Sequence, residues 1–207
     1  MSIVLCCPTM TALVGQTRRT RRQSELLDRL LSLFLAEGFS RFTLDDLAAE
    51  LRCSKTTLYA LAPSKEQLAV EVVKHYFKGA TAAVESAVAR EHTDEARIAA
   101  YLNEVAHQLR PAGRVFLDDV ATFAPARSVY ERNTRIAAER VRALIADGIA
   151  SRAFRDVHVG FAAEMVAHTM QAIQRGDIAR RTGLNDADAY AELSSVLLHS
   201  LRAAEAG

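Results

Sequence analysis

At 207 residues, 50% hydrophobic and 25% charged, the chain can bury a core and does not have the composition of a disordered segment. A net charge of +1 rules out a uniform polycation. The 9 glycines and 4 prolines are few, alanines and leucines are many, and no alternating β-branched runs occur, so the composition argues for an all-α protein.

The charge is unevenly placed. Arg18 to Lys78 carries 11 basic and 8 acidic side chains, and Gly79 onward carries 15 and 17. Arg18, Arg19, Arg21 and Arg22 cluster ahead of the first helix. Such asymmetry suits a nucleic-acid-facing end on a neutral body, and a solvated basic turn is the plainer alternative. Residues 1–17, MSIVLCCPTMTALVGQT, hold no charge and read as a disordered or locally docked arm. They lack the basic start and clean apolar run of a signal peptide, and Met10 is a second candidate start. No segment approaches the roughly 20 apolar residues of a membrane span, so no membrane partner is expected. Adjacent Cys6 and Cys7 and the distant Cys53 supply no disulfide framework, which fits a reducing cytoplasm.

In chain order, the first helix is predicted from about Arg22 to Glu37, with Leu27, Leu30, Leu31 and Phe34 on one face and Gly38 as its stop. Thr43 and Asp46 form a capping-box pair ahead of Leu44, Leu47, Ala48 and Leu51. After a break at Arg52 and Cys53, Ser54 caps a third helix of about two turns ending before Pro63. Ser64 and Gln67 open a longer helix through Phe77. Further helices are predicted from Thr93 or Asp94 to Arg110, from Arg114 to Phe123, and over SVYERNTRIAAERVRALIADGI. Two more are predicted from an Asp156 cap to Gly176 and from Asn185 or Asp186 to Ala204.

The second and third helices, separated by a short turn, make a helix-turn-helix. With Leu58 as the buried anchor of the third, Lys55, Thr56 and Tyr59 project to solvent with Thr57 at the edge. These are donors and acceptors of the size that reach phosphates and base edges. Ser54 and Thr43 stand at helix starts, where phosphate oxygens are favoured, and Lys65 can add a phosphate contact. The plainer reading is a capped, solvated helical hairpin.

The stretch FTLDDLAAELRCSKTTLYALAPSKEQL resembles the tetracycline-repressor (TetR) family signature, T-x-x-x-I/L-A, a turn, S-x-x-T/A-L/F-Y, then x-x-K-E-x-L. Thr43, Leu47, Ala48, Ser54, Thr57, Leu58, Tyr59, Lys65, Glu66 and Leu68 occupy its positions. The resemblance spans about residues 20–77. It implies an N-terminal DNA-binding head (18–77) on a larger helical effector-binding and dimerisation body (78–207). The implied protein is a homodimeric repressor that grips a palindromic double-stranded DNA operator and is released by a small-molecule effector. By the resemblance, Thr43, Tyr59 and Lys65 grip phosphates, while Lys55, Thr56 and Thr57 approach bases. Three positions depart from the pattern. Arg52 replaces the usual turn glycine, at about 1 kcal/mol if φ is positive there, or as an added phosphate contact. Thr56 replaces a common glycine, and Ala62 replaces the aromatic after the tyrosine, leaving Phe39 or Phe42 to supply packing.

For the body, Tyr101, Phe116, Phe123, Tyr130 and Phe161 are candidate apolar pocket linings, with Asn103, His107, Asn133 and His168 as polar anchors, and the effector is expected to be mainly apolar. Phe161, Met165 and His168 share one stripe, and Ala162, Val166, Met170 and Ile173 a second. Met165, His168, Ile173, Tyr190, Leu193, Leu197 and Leu201 are the candidate dimer interface, with plain monomer core as the alternative. The Glu104–His107, Glu164–His168 and Glu71–His75 pairs each lack further ligands, so no metal is expected. Asp118 and Asp119 point apart on a helix, no Gly-x-Gly loop occurs and nothing marks a nucleophile, so neither a cofactor nor catalysis is expected. The competing reading is an all-α small-molecule-binding protein that has lost specific DNA binding, with a helical enzyme behind it.

Overall fold

Short polar side chains set where the helices begin. In the computed structural model, which describes residues 20–202, Thr20, Thr43, Ser54, Ser64, Thr93 and Asn185 each accept a backbone N–H three residues on. The helices are α1 (Arg21–Glu37), α2 (Leu44–Glu50), α3 (Lys55–Tyr59), α4 (Lys65–Ala89), α5 (Asp94–Leu109), α6 (Arg114–Thr122), α7 (Ala124–Ala150), α8 (Val159–Gln174), α9 (Asp177–Thr182) and α10 (Asp186–Leu201). The fold is all-α, an isolated bridge between Phe154 and Arg202 aside. The expected arm at 1–17, with Cys6 and Cys7, and the basic side chains Arg18 and Arg19 lie outside the described residues. No described helix is long and apolar enough to cross a membrane.

Several boundaries differ from the sequence reading for local reasons. α1 starts a residue early because Thr20 and Gln23 form a full capping box. α3 is shorter than expected, five residues closed by Ala60. α4 does not stop at Phe77. It passes Gly79 to Ala89, since one glycine costs a helix only about 1 kcal/mol and Val84, Ala87 and Val88 are buried beyond it. α7 begins at Ala124 because Pro125 fits the first turn. α8 is capped by His158, whose Nδ1 accepts the Phe161 N–H at 3.1 Å, and not by Asp156. The unforeseen α9 lies between Gly176 (φ 70°) and Gly183 (φ 78°), two left-handed stops that close a single short turn-and-a-half.

Two apolar clusters organise the chain. One gathers Leu27, Leu30 and Phe34 of α1, Leu47 of α2, Leu58 of α3 and Val72 and Val73 of α4, and it continues into Phe116, Val120 and Tyr130 of α6 and α7. The other joins Val84 and Val88 of α4 to Leu102 of α5, Ile145 of α7, Met170 of α8 and Tyr190 of α10. α4 therefore belongs to both cores, and the head is packed onto the body through a helix that they share. α5 packs on α4 and α10, and α7 packs on α4, α5 and α8.

Between α1 and α2 the head is tied to α6. Asp119 Oδ2 accepts the backbone N–H groups of Phe39 (2.5 Å) and Ser40 (2.8 Å). The Gly113 N–H donates to Leu35 O at 2.9 Å. Gly38 makes this approach possible. Its φ of 74° and ψ of −178° suit glycine alone, and a Cβ there would lie 2.5 Å from Asp119 Oδ2 and 2.7 Å from Val115 Cγ1. Gly38→Ala is expected to destabilise the protein by about 2 kcal/mol, a fall of roughly 4–8 °C in Tm on thermal melting. An unchanged Tm would show that this junction is not fixed as described.

Candidate DNA-binding surface and ligand cavity

The helix-turn-helix is held from beneath by α1 and from within by Leu47 and Leu58, both fully buried. Arg29 of α1 donates to Leu51 O at 2.7 Å, satisfying a carbonyl at the end of α2. Gln23 reaches Ala60 O at 3.4 Å, at the end of α3. With Leu58 pinned, Lys55, Thr56 and Tyr59 are exposed, as are Ser54 and Arg52, while Thr57 is half-buried at the edge. Tyr59 is a large ring left 49% exposed on a five-residue helix, which a core role does not explain.

The eight DNA-binding candidates thus share one end of the molecule, but their polar atoms differ in availability. The Thr43 hydroxyl donates to Asp46 Oδ2 (2.7 Å) while accepting the Asp46 N–H (3.2 Å), so it works first as a cap. Those hydrogen bonds, the Thr43 backbone N–H foremost, hold the Asp46 carboxyl below the usual aspartate range. The Ser54 and Thr57 hydroxyls lie 2.9 Å apart and share a hydrogen bond. Lys65 Nζ donates to Ser40 O at 2.9 Å. Lys55 Nζ lies 2.6 Å from Asp45 Oδ1 on α2, and that hydrogen bond raises the lysine pKa. Lys55 is therefore charged and pre-positioned, with a carboxylate that a phosphate would have to displace. Arg41, which sequence reasoning passed over, stacks on Phe42 at 4.9 Å and pairs with Glu37. Its position in a loop gave no periodic signal.

Arg52 stands at φ 50°, so the turn does require the left-handed conformation for which a glycine would be unstrained. Ala62 is buried in the head core beside Phe39 and Phe42.

In the body a cavity of about 80 Å³ opens between α4, α5 and α7, reaching Met170 of α8 and Tyr190 of α10. Tyr76, Phe77, Val84, Leu109 and Met170 make it mainly apolar. Of the pocket candidates, Tyr101, Tyr130 and Asn133 line it. Asn103 and His107 instead occupy the exposed side of α5. Phe116 and Phe123 pack edge-on against Phe39 between head and body, and Phe161 is 65% exposed on α8. Periodicity marks a helix face as apolar, but it does not say which neighbour that face meets. Of the missed linings, Tyr76 and Phe77 stand at the end of the helix that the sequence predicted, and Val84 lies on α4 beyond that end.

A wider polar cleft of about 270 Å³ lies among Arg110, Arg114, Asp186 and Asp188 at the start of α10. Arg114 is engaged by Asp118 at 3.0 Å, and burial pushes the Asp186 carboxyl up against the opposing pull of Arg114.

The interface candidates divide as well. Met165 (55% exposed) and His168 stand on the outer face of α8 with Phe161, and Leu193 is half-buried. Ile173, Tyr190, Leu197 and Leu201 are buried within the protomer, because the inner faces of α8 and α10 close the second core. Val196, 64% exposed on α10, was missed, standing off the stripe of Tyr190, Leu193, Leu197 and Leu201. Among the described residues no group of three His, Cys, Asp or Glu side chains could hold a metal ion. His75 pairs with Asp28 at 2.6 Å and Lys74 with Glu71 at 2.8 Å.

The helix-turn-helix head thus shares one helix with a cavity-bearing helical body. Residues 26–72 match the family model of the bacterial regulatory proteins, tetR family. A transcriptional regulator from Cytophaga hutchinsonii superposes with a TM-score of 0.70 at 16% identity, covering 88% of this chain and 99% of that one. A TetR-family regulator from Thermus thermophilus gives 0.58 at 20% identity, over 86% and 99%. A regulator from Saccharomonospora viridis, solved in complex with choline, gives 0.68 at 16%, over 90% and 100%. No curated protein matches the sequence. The family model thus covers the head alone, and over nearly its whole length the chain has the fold of these solved regulators.

The strain at Arg52 has a measurable sign. Arg52→Gly is expected to stabilise the protein by about 1 kcal/mol, roughly 2–4 °C in Tm, whereas Arg52→Ala keeps the strain and should leave Tm within a degree or so. Equal melting of both variants would mean that the turn carries no strain.

Proposed function

We propose that the protein is a ligand-responsive transcriptional repressor that binds a palindromic operator as a homodimer and is released by a small molecule held in the body. Residues 18–77 are the DNA-binding head and 78–207 the effector and dimer body. The observation that carries this reading is the continuity of α4. It starts at Lys65, six residues after Tyr59, and its later turns supply Tyr76, Phe77, Val84 and Glu85 to the cavity wall. A ligand that alters the cavity therefore acts on the helix that positions the head. Differential affinity for two head placements is all that release requires.

Lys55, Thr56 and Thr57 approach bases in the major groove in this account, with Thr43, Tyr59 and Lys65 on flanking phosphates and Arg52 as an added phosphate contact. The exposed apolar side chains Phe161 and Met165 of α8 and Val196 of α10, on helices that pack together, supply the face for a second copy. Two-fold pairing would set two recognition helices about 34–36 Å apart, one turn of DNA. A DNA partner places the protein in the cytoplasm, and neither a cofactor nor catalysis enters the scheme.

The test is selection of genomic fragments by the purified protein, then anisotropy on the best site across salt concentrations. A palindromic site should emerge, with log K falling linearly against log salt. Arg52→Ala should flatten the slope by about 1.8 if each protomer's Arg52 neutralises one phosphate. Weak, sequence-indifferent binding would sink specific repression and favour a binding protein that has lost its operator. On size-exclusion chromatography with light scattering, Met165→Glu with Val196→Glu should convert dimer to monomer. A persistent dimer would move the interface elsewhere.

A further inference from the structure

Four tyrosines line the cavity, Tyr76, Tyr101, Tyr130 and Tyr190, and the first three use their hydroxyls differently. Tyr76 donates to Gln108 O at 2.8 Å, and Tyr101 donates to Ala137 O at 3.3 Å. Tyr130 is only 6% exposed, and its hydroxyl is the buried side-chain oxygen without a hydrogen-bond partner among the described residues. A phenylalanine would fill the same space without burying an unpaired hydroxyl, which is costly. Its ring is already employed, stacked on Phe77 at 5.1 Å and 26°.

The charges near the cavity are spoken for. Arg140 and Glu85 face one another across the wall between α7 and α4, with Nε–Oε1 and Nη2–Oε2 distances both 3.0 Å. A ligand with a formal charge would have to break this paired geometry or remain uncompensated among apolar side chains. The space is also small. At about 80 Å³, it is about half the 150 Å³ of an engineered apolar cavity that binds benzene. A ring-sized molecule can enter only by displacing a wall.

We propose that the effector is a neutral, mainly apolar molecule of about one ring, bearing a single oxygen function, a carbonyl or hydroxyl, that hydrogen-bonds Tyr130 Oη. This rests on the regulator reading of the cavity and gives it a ligand class. Tyr130 is the specificity-determining contact, because among the described residues its hydroxyl is the fully buried side-chain polar atom left without a partner. It is also the contact from which wall displacement reaches α4, through the Phe77 stack.

Full-length protein and Tyr130→Phe are compared by thermal shift and calorimetry with cyclohexanone, phenol, benzene, benzoate and benzylammonium at equal concentrations. Cyclohexanone and phenol should raise the wild-type Tm more than benzene, and the two ions should not raise it. Tyr130→Phe should bind cyclohexanone and phenol roughly five- to tenfold more weakly, leave benzene unchanged, and melt no lower than wild type without ligand. The proposal is overturned if benzoate or benzylammonium binds as well as cyclohexanone, or if no probe binds. It is also overturned if the variant keeps full affinity for the oxygenated probes, or if its ligand-free Tm falls by several degrees, which would reveal a native partner for the hydroxyl. Operator affinity measured on the same samples separates the two readings. Probe binding without operator binding leaves the ligand class standing and removes repression. Operator binding without any probe binding removes the ligand class alone.

Discussion

The structure depends on one constraint, that α4 is a single unbroken helix shared by two cores. Its 25 residues give a rod of roughly 37 Å at 1.5 Å per residue. Leu68, Val72 and Val73 near its start are sealed under α1 and the helix-turn-helix. Val84 and Val88 near its end are sealed under α5, α7 and α8. Neither end can shift without the other core registering it, because packed interiors rearrange in discrete steps and do not deform continuously. Gly79 sits midway, where a Cβ would meet nothing within 4 Å outside the helix's own backbone, and the rod runs unbroken through this position of weakest helix propensity.

The junction between head and body adds a second, independent restraint. Asp119 accepts two loop amides that follow α1, and Phe39 from that loop enters an aromatic cluster with Phe34, Phe116 and Phe123. Phe116 in turn meets Tyr76, which packs on Phe77 and so reaches Tyr130. Rings thus run without a gap from the cavity wall to the loop before α2. Contiguous packing is a physical route for coupling, but it transmits only if the cluster has two arrangements that a ligand prefers unequally.

Local chemistry was legible in the sequence where a residue acts on its immediate neighbours. Thr43 with Asp46 announced α2, Ser54 announced α3, and the spacing of Leu27, Leu30 and Phe34 announced the buried side of α1, because caps and 3.6-residue periodicity are written within one or two turns. The exposure of Lys55, Thr56 and Tyr59 followed once Leu58 was taken as the anchor. Partnerships between distant helices were not legible. Phe116 and Phe161 carry the same apolar signal, yet one closes the head–body junction and the other faces solvent. Tyr190 and Leu197 read as an interface stripe and prove to be the inner side of α10 against α5. Tyr130 was legible as a pocket candidate, but its unpaired hydroxyl depends on three other helices and leaves no trace in its own sequence neighbourhood.

On the repressor reading, the small cavity and the shared helix set the sign of the coupling. A ligand larger than the space it finds binds better to a conformation with a displaced wall, so its binding free energy is partly spent on moving α4 or α7. The same free energy must then appear at the other end, since linkage makes operator and effector oppose one another by equal factors. A protein held on its operator would bind effector more weakly than the free protein does. The strength of that opposition is bounded by what wall displacement can yield, typically 1–3 kcal/mol of coupling. A shift from 1:99 to 99:1 needs about 5.5 kcal/mol of differential affinity. One cavity falls short of that, and a symmetric dimer carrying two cavities on one rigid head spacing comes close to it.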